Sequence, residues 1–472
     1  MRIGDEPLTP SAVAAAARGG RIEVGLSDGA RERMAASHLA AAAATTMRAV
    51  YGRTTGVGAN RSVVVAAGDE RAHAERLLRS HAGGMGDPLA DDVVRGTILV
   101  RLAQLAAGGG GSRPELADAL AGLLRADELP VLHDLGGLGT GDLTILGELG
   151  LALLEPKAGQ SPFRLEAGDA LALMSSNAVT LAVATLAWHD LALLLDAGLG
   201  VAALTFAALD GNAEAYAEPV AAARPVPGID AVTARLRALT AGAGPPARIQ
   251  DPFALRCLPQ VGAALHDALG RLHELLAIEI NAAAENPLVS GDEVLHHGGF
   301  HAASCALALD NLRLALVPFA TLSSARLRHL MEPALTRLPA FLSADAPGSS
   351  GVLIAEYVAA DALARLRTDA APSVLGSATL SRGLEEHASF AWQAAGQARR
   401  SVDHLRIVLA LEWIAAERAL RMKDSAAGGP LREPGAQFDI RLEDRPLADD
   451  AEVAAAALPA LAAAVIACDG PH

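Results

Sequence analysis

Leu135-Gly136-Gly137-Leu138-Gly139-Thr140-Gly141-Asp142-Leu143 leads into an apolar run that continues through Leu154. The glycines break regular structure, and the run behind Asp142 has the length and composition of a helix, so the stretch predicts a tight turn feeding a buried helix. Within it, Gly139-Thr140-Gly141-Asp142 admits two readings. In the plainer one, a glycine-rich turn is capped by Asp142 ahead of the helix. In the other, the chain folds back until the Gly141 nitrogen reaches the Gly139 carbonyl carbon and a five-membered ring closes. Loss of the Thr140 hydroxyl then leaves an electrophilic alkene. Neither common phosphate-binding motif fits. A dinucleotide fingerprint needs a glycine where Asp142 stands and a strand pattern before it, and a P-loop needs Gly-Lys-Ser/Thr.

With 472 residues, the chain can bury a large core. Hydrophobic residues make up 51% and charged ones 20%, a balance that excludes disorder as the main state. Alanine is abundant and aromatics are only 3%, which makes helix the default over most of the length. The net charge of −15 argues against nucleic acid or anionic membranes as partners. Cys257, Cys305 and Cys468 lie far apart without metal spacing and are expected as reduced thiols in a cytoplasmic protein. No signal peptide is expected, because Asp5 and Glu6 replace an apolar core near the start. Leu191 to Leu209 carries one charge, Asp196, and is long enough for a bilayer. Gly198, Gly200 and the absence of basic flanks favour the central helix of a bundle instead.

A capped helix is expected from about Thr9, a short strand at Arg21–Leu26, and a second helix from about Asp28 to Ala49. Tyr51-Gly52-Arg53-Thr54-Thr55-Gly56-Val57-Gly58 must then be a loop. His81 sits near a helix end, just before Gly83-Gly84-Met85-Gly86. From about Gly168 the pattern is one long helix after another. Val261, Leu265, Leu269, Leu272 and Leu276 form a stripe that ends at Asn286-Pro287, because proline stops a helix. His296, His297 and His301 lack a carboxylate or cysteine to complete a metal set, and no metal site is expected. In Gln250-Asp251-Pro252-Phe253-Ala254-Leu255-Arg256, an arginine leaves a rigid polar turn. That placement suits a bidentate clamp on a carboxylate, or else a salt bridge at a helix start. The expected fold is mainly α: a smaller mixed region over residues 1–190 carries the Gly-rich loop, and long antiparallel helices over 191–472 form a bundle.

Taken in order along nearly the whole chain, these segments resemble the aromatic amino acid ammonia-lyase family, and its histidine ammonia-lyase branch in particular. The Tyr51 loop, Ser80-His81 with its glycines and the Gly-rich stretch with Asp142-Leu143 carry the resemblance, as do Gln250 to Gln260 and Glu285-Asn286-Pro287-Leu288. Gly298-Gly299-Phe300-His301-Ala302, Ser349-Ser350-Gly351, Glu385-Glu386-His387 and Glu443-Asp444-Arg445-Pro446-Leu447 follow. The resemblance implies an ammonia-lyase/fumarase-like helical fold and a homotetramer whose sites draw on several subunits. It also implies an internally made methylideneimidazolone (MIO) electrophile, which the family cyclises from Ala-Ser-Gly. In that scheme Tyr51 removes a β-proton, Arg256 binds the substrate carboxylate, and His81 with Glu385 face the ring. Gln250, Asn286, Ser175 and Phe253 are the further substrate-binding positions. A benzylic-type C–H is far too weak an acid for a phenolate of pKa ~10 without such an electrophile.

Four departures gather on the electrophile's side. The tripeptide is Gly139-Thr140-Gly141, Ser175 stands where the family has an asparagine touching the cofactor, Phe253 replaces a tyrosine, and Gly299 replaces an asparagine. Each removes or shortens a polar group, and a buried partner so lost leaves its mate unsatisfied. Sterics permit the ring and the altered surroundings disfavour it, so the cofactor is either an MIO-type ring from Gly139-Thr140-Gly141 or none. The function expected is a carbon–nitrogen lyase, or a related aminomutase, acting on histidine or a similar aromatic amino acid. The alternatives are a ring-less lyase-fold enzyme using Tyr51 as base and a non-catalytic paralogue.

Overall fold

The computed structural model describes residues 1–155, 162–344, 346–439 and 441–468. Helix α1 (Pro10–Arg18) starts where predicted, with the Thr9 hydroxyl accepting from the Ala12 amide at 3.2 Å. Ser27 caps α2 (Asp28–Thr45) in the same way. The expected early strand narrows to β2 (Gly25–Leu26), paired in parallel with β1 (Arg2–Ile3). Helix α3 (Glu70–His81) ends at the histidine, and β3 (Met85–Pro88) pairs antiparallel with β4 (His133–Leu135). Between them in sequence lie α4 (Asp91–Ala106) and α5 (Pro114–Ala126).

Helix α6 (Leu143–Leu154) follows the Gly-rich stretch, then α7 (Asp169–Met174) and α8 (Ala178–Ala208). Asp142 does not cap α6. Its carboxylate turns to Thr180, accepting from the backbone N–H and the hydroxyl at 2.8 Å each. The Leu191–Leu209 run falls almost wholly within α8. On length and composition alone Asp169–Ala208, Ala303–Leu330 and Ala448–Cys468 could cross a membrane, but 78% of the first stretch's most apolar window is buried inside the protein, as a bundle helix requires.

The helix carrying the Val261–Leu276 stripe runs Leu258–Glu279 and stops short of Asn286-Pro287. The Asn281 side chain donates back to the Ala277 carbonyl and exchanges hydrogen bonds with the Leu8 backbone, which satisfies the helix end before the proline is reached. A hairpin follows, β5 (Leu288–Ser290) with β6 (Glu293–Leu295).

Two compact units result, and neither is continuous in sequence. The first combines 1–189, 272–310 and 372–396, so two segments from the second half join the N-terminal region. The second combines 190–271, 311–371 and 397–472. Most of the boundaries fall within long helices.

In the first unit α4 is the buried axis, with α1, α2 and α5 packed on it. Its Arg101 is fully buried and pairs with Glu285 at 2.6 Å. Arg101 also donates to the Leu173 carbonyl at 3.1 Å, and Gln104 accepts from Ser176 at 2.6 Å. These bonds hold the end of α7 and the backbone leading to Asn286. In the second unit, buried Glu412 accepts from Arg326, Ser323 and Thr205, a carboxylate whose charge and lone pairs are matched.

Candidate active site

Helices α3 and α6 pack closely because Gly147 of α6 lies against the chain at His81 and Ala82, where a Cβ would come within 2.8 Å of the Ala82 nitrogen. This approach brings the end of α3 to the turn that precedes α6. His81 Nδ1 donates to the Leu77 carbonyl at 2.8 Å, which leaves Nε2 of the neutral ring as an acceptor.

A cavity of about 1130 Å³ opens here within the first unit. Tyr51, His81, Thr140, Ser175, Asn286 and Glu385 all line it, six candidates from six separate segments. Gly139, Gly141 and Asp142 lie behind Thr140, with Asp142 completely buried.

The Tyr51 hydroxyl accepts from the Gly58 amide at 2.7 Å, so its own loop folds over it. Burial pushes the phenol above its ordinary pKa, against the Gly58 N–H and Arg61, and the Glu385 carboxylate pushes in the same direction as burial. Ser175 accepts from the Asn286 amide at 3.1 Å, and Asn286 in turn accepts from the His297 amide at 3.0 Å. Those bonds join the two strands of chain on that wall.

The tripeptide is held at both ends. The Gly139 carbonyl accepts from the Ser389 hydroxyl at 2.6 Å and from the Ala302 amide at 3.2 Å. The Gly141 N–H donates to the Asn177 side-chain oxygen at 2.9 Å, and Asn177 donates onward to the Phe300 carbonyl. Gly139 has φ +74°, and a Cβ there would lie 2.2 Å from the Ser389 oxygen, so only glycine fits this conformation. Burial raises the Asp142 carboxyl to about 6, against its hydrogen bonds from Thr180 and Val179.

Three predicted residues stand elsewhere. Gln250, Phe253 and Arg256 belong to the second unit and do not line the cavity around Thr140. Gln250 and Arg256 line a separate cavity of about 370 Å³, and exposed Phe253 lies under the Arg256 guanidinium at 4.6 Å. Arg256 ends a single turn, Phe253–Arg256, and donates to the Asp251 carbonyl at 3.3 Å. The turn is rigid because buried Asp251 is paired with Arg248 and accepts from the Asn212 amide. Arg256 thus leaves a turn braced by buried Asp251, with its guanidinium over the Phe253 ring.

Asn177, Ser389 and the histidine pair His301–His387 escaped the sequence reading of the site. His301 Nε2 and His387 Nδ1 are 2.9 Å apart in the cavity wall, and burial followed by the neighbouring ring lowers the His301 pKa. The available signal for Asn177 was Ser175-Ser176-Asn177, a polar triplet interrupting an otherwise apolar run.

A buried helical scaffold that delivers a phenol, an imidazole, a carboxylate and a doubly anchored Gly-Thr-Gly turn to one cavity defines a carbon–nitrogen lyase of the ammonia-lyase type. Residues 8–437 match the model of the aromatic amino acid lyase family. The chain is 34% identical to the histidine ammonia-lyase of Symbiobacterium thermophilum, over 100% of this chain and 99% of that one. It is 37% identical to that of Paracidovorax citrulli, over 82% and 81%. Among solved structures, the tyrosine aminomutase of Streptomyces globisporus superposes with a TM-score of 0.92 at 26% identity, covering 99% of this chain and 98% of that one. The protein belongs to the aromatic amino acid lyase family.

Proposed function

We propose that the protein eliminates ammonia from histidine or a closely related imidazole amino acid, using an MIO-type ring made from Gly139-Thr140-Gly141. The observation that carries this reading is the anchoring of the tripeptide, its closing carbonyl polarised by two donors and Thr140 facing the cavity that Tyr51, His81 and Glu385 line. The residues present fit the group. The amide lost at position 175 has a counterpart in Asn177, and Gly139 occupies a conformation closed to alanine.

The ring supplies an electrophilic alkene that activates the amino acid for loss of ammonia. Around it, Tyr51 takes the β-proton, its phenolate steadied by the Gly58 N–H. The His81 Nε2 accepts from the imidazole N–H of the substrate, and Glu385 holds the far ring nitrogen, so the charge state of the substrate ring is read from both sides. Asn286 and Ser175 form the wall beside them. Arg256 with Gln250 completes the site from a second copy of the chain, binding the carboxylate bidentately, within a homotetramer. Phe253, stacked on Arg256, keeps that guanidinium extended. Three free thiols suit a reducing cytoplasm.

The ring is tested by the mass of the intact wild-type chain. A deficit of two water molecules localised to the peptide containing Gly139–Gly141 is expected, and a full-mass peptide in active protein would contradict the reading.

A further inference from the structure

We infer that Asn177 and Ser389 are the residues that close the tripeptide, Ser389 as the principal donor to the Gly139 oxygen and Asn177 as the holder of the Gly141 N–H. This rests on the proposal that the ring forms, and it assigns the work of forming it to two side chains outside the tripeptide.

Closure asks for two things of an ordinary peptide. The Gly139 carbonyl carbon must become electrophilic, and the Gly141 nitrogen must present its lone pair to it. Charge grows on the carbonyl oxygen as the bond forms, and preorganised donors aimed at such an oxygen act most strongly where water is excluded. The Ser389 hydroxyl stands 2.6 Å from that oxygen and the Ala302 amide 3.2 Å, and Ser389 is buried. Ser389 is itself fixed, accepting from the Ala391 amide at 3.2 Å. Its neighbours bind the turn too: the Phe390 N–H donates to the Leu138 carbonyl and Gln393 to the Gly137 carbonyl.

At the other end, an amide N–H lies in the peptide plane and the nitrogen lone pair stands perpendicular to it. Fixing the N–H on Asn177 Oδ1 therefore fixes the lone-pair direction. Asn177 is locked in turn by its bond to the Phe300 carbonyl, two residues before the Ala302 donor. One short segment, Phe300–Ala302, thus steadies both ends of the closing bond.

The step balances without a co-reactant. The Gly141 N–H adds across the Gly139 C=O, forming the nitrogen–carbon bond and leaving a hydroxyl on the former carbonyl carbon. That hydroxyl departs with the Thr140 amide hydrogen as one water. The Thr140 Cα hydrogen and Cβ hydroxyl depart as the second.

The test follows the mass of the chain after a pulse of expression in wild type, Ser389→Ala, Ser389→Cys and Asn177→Ala, with circular dichroism to establish folding. Wild type is expected to reach the two-water deficit. Ser389→Ala is expected to reach it on the order of 10²-fold more slowly, as for removal of one donor to a developing oxyanion. Asn177→Ala is expected to be slowed by about tenfold or more through lost orientation. Ser389→Cys places a slightly larger, weaker donor at the same position and is expected to fall between wild type and Ser389→Ala. If it folds and matures more slowly than wild type, whether or not Ser389→Ala folds, the donor role stands. Ring formation at the wild-type rate in folded Ser389 and Asn177 variants would overturn the inference and leave the ring intact. A wild-type chain at full mass would overturn the ring and the inference together.

Discussion

The Asn177 side-chain oxygen accepts the Gly141 amide hydrogen at 2.9 Å, two residues beyond the serine that stands where the family has an asparagine. The tripeptide therefore keeps a carboxamide beside it although position 175 has lost one. Position by position, the surroundings of the tripeptide have lost polar side chains. The folded turn after α7 redistributes those that remain, and Ser175 takes up the Asn286 amide instead.

Returning position 139 to the family's alanine destabilises this protein. At φ +74° a Cβ would meet the Ser389 oxygen at 2.2 Å and the Ala391 nitrogen at 2.7 Å. Gly139→Ala is expected to lose roughly 1–3 kcal/mol in a urea titration, the range for strained backbone. An unchanged midpoint would mean that the turn adopts another conformation.

Tyr51→Phe is expected to lower kcat by about 10²–10⁴-fold, the contribution of a positioned general base. Because burial raises the phenol above its ordinary value, the phenolate fraction grows as pH rises and is still growing in the alkaline range. Wild-type kcat/KM should therefore climb with pH beyond neutrality, and the variant should lose the climb. A flat wild-type profile would remove Tyr51 from the proton transfer.

Asp142 should impose a stability slope in mild acid. Its folded pKa of about 6 exceeds the unfolded 3.8. Between those values the folded chain holds the extra proton, so stability is fullest below about pH 4 and falls as pH rises through 6, by roughly 3 kcal/mol. Asp142→Asn should flatten that slope in denaturation measured from pH 4 to 7. A variant with the wild-type slope would place its origin elsewhere.

Much of the architecture was legible because its causes are local. Thr9 and Ser27 cap helices that begin where the sequence places them, and the apolar run at Leu191–Leu209 is a bundle helix. Tyr51, His81, Thr140, Ser175, Asn286 and Glu385 were nameable from motif order, and they meet in one cavity. The helix end at Glu279 was not legible, since it depends on Asn281 reaching Leu8, far away in sequence. Asn177 was hidden for the same reason: its role depends on where the Gly141 N–H points. Arg256 was legible as an arginine leaving a polar turn, and the cavity it lines belongs to the second unit, whereas Tyr51 lines that of the first.

A mixing experiment tests whether the site is shared between subunits. Tyr51→Phe and Arg256→Met should each be nearly inactive alone. Unfolded together and refolded, they should regain up to about a quarter of wild-type activity, because random assembly pairs an intact Tyr51 with an intact Arg256 of another subunit in that fraction of sites. No recovery in correctly assembled mixtures would mean that Arg256 acts within its own chain or not at all.

The most direct measurement incubates the purified protein with histidine, phenylalanine and tyrosine in turn and quantifies free ammonia together with the ultraviolet absorbance of the conjugated acrylate. Ammonia and the imidazole acrylate are expected in equal amounts from histidine, with far less product from the other two and none from histidine with Thr140→Ala. Histidine left unchanged, or full activity in Thr140→Ala, would contradict ring-dependent ammonia elimination.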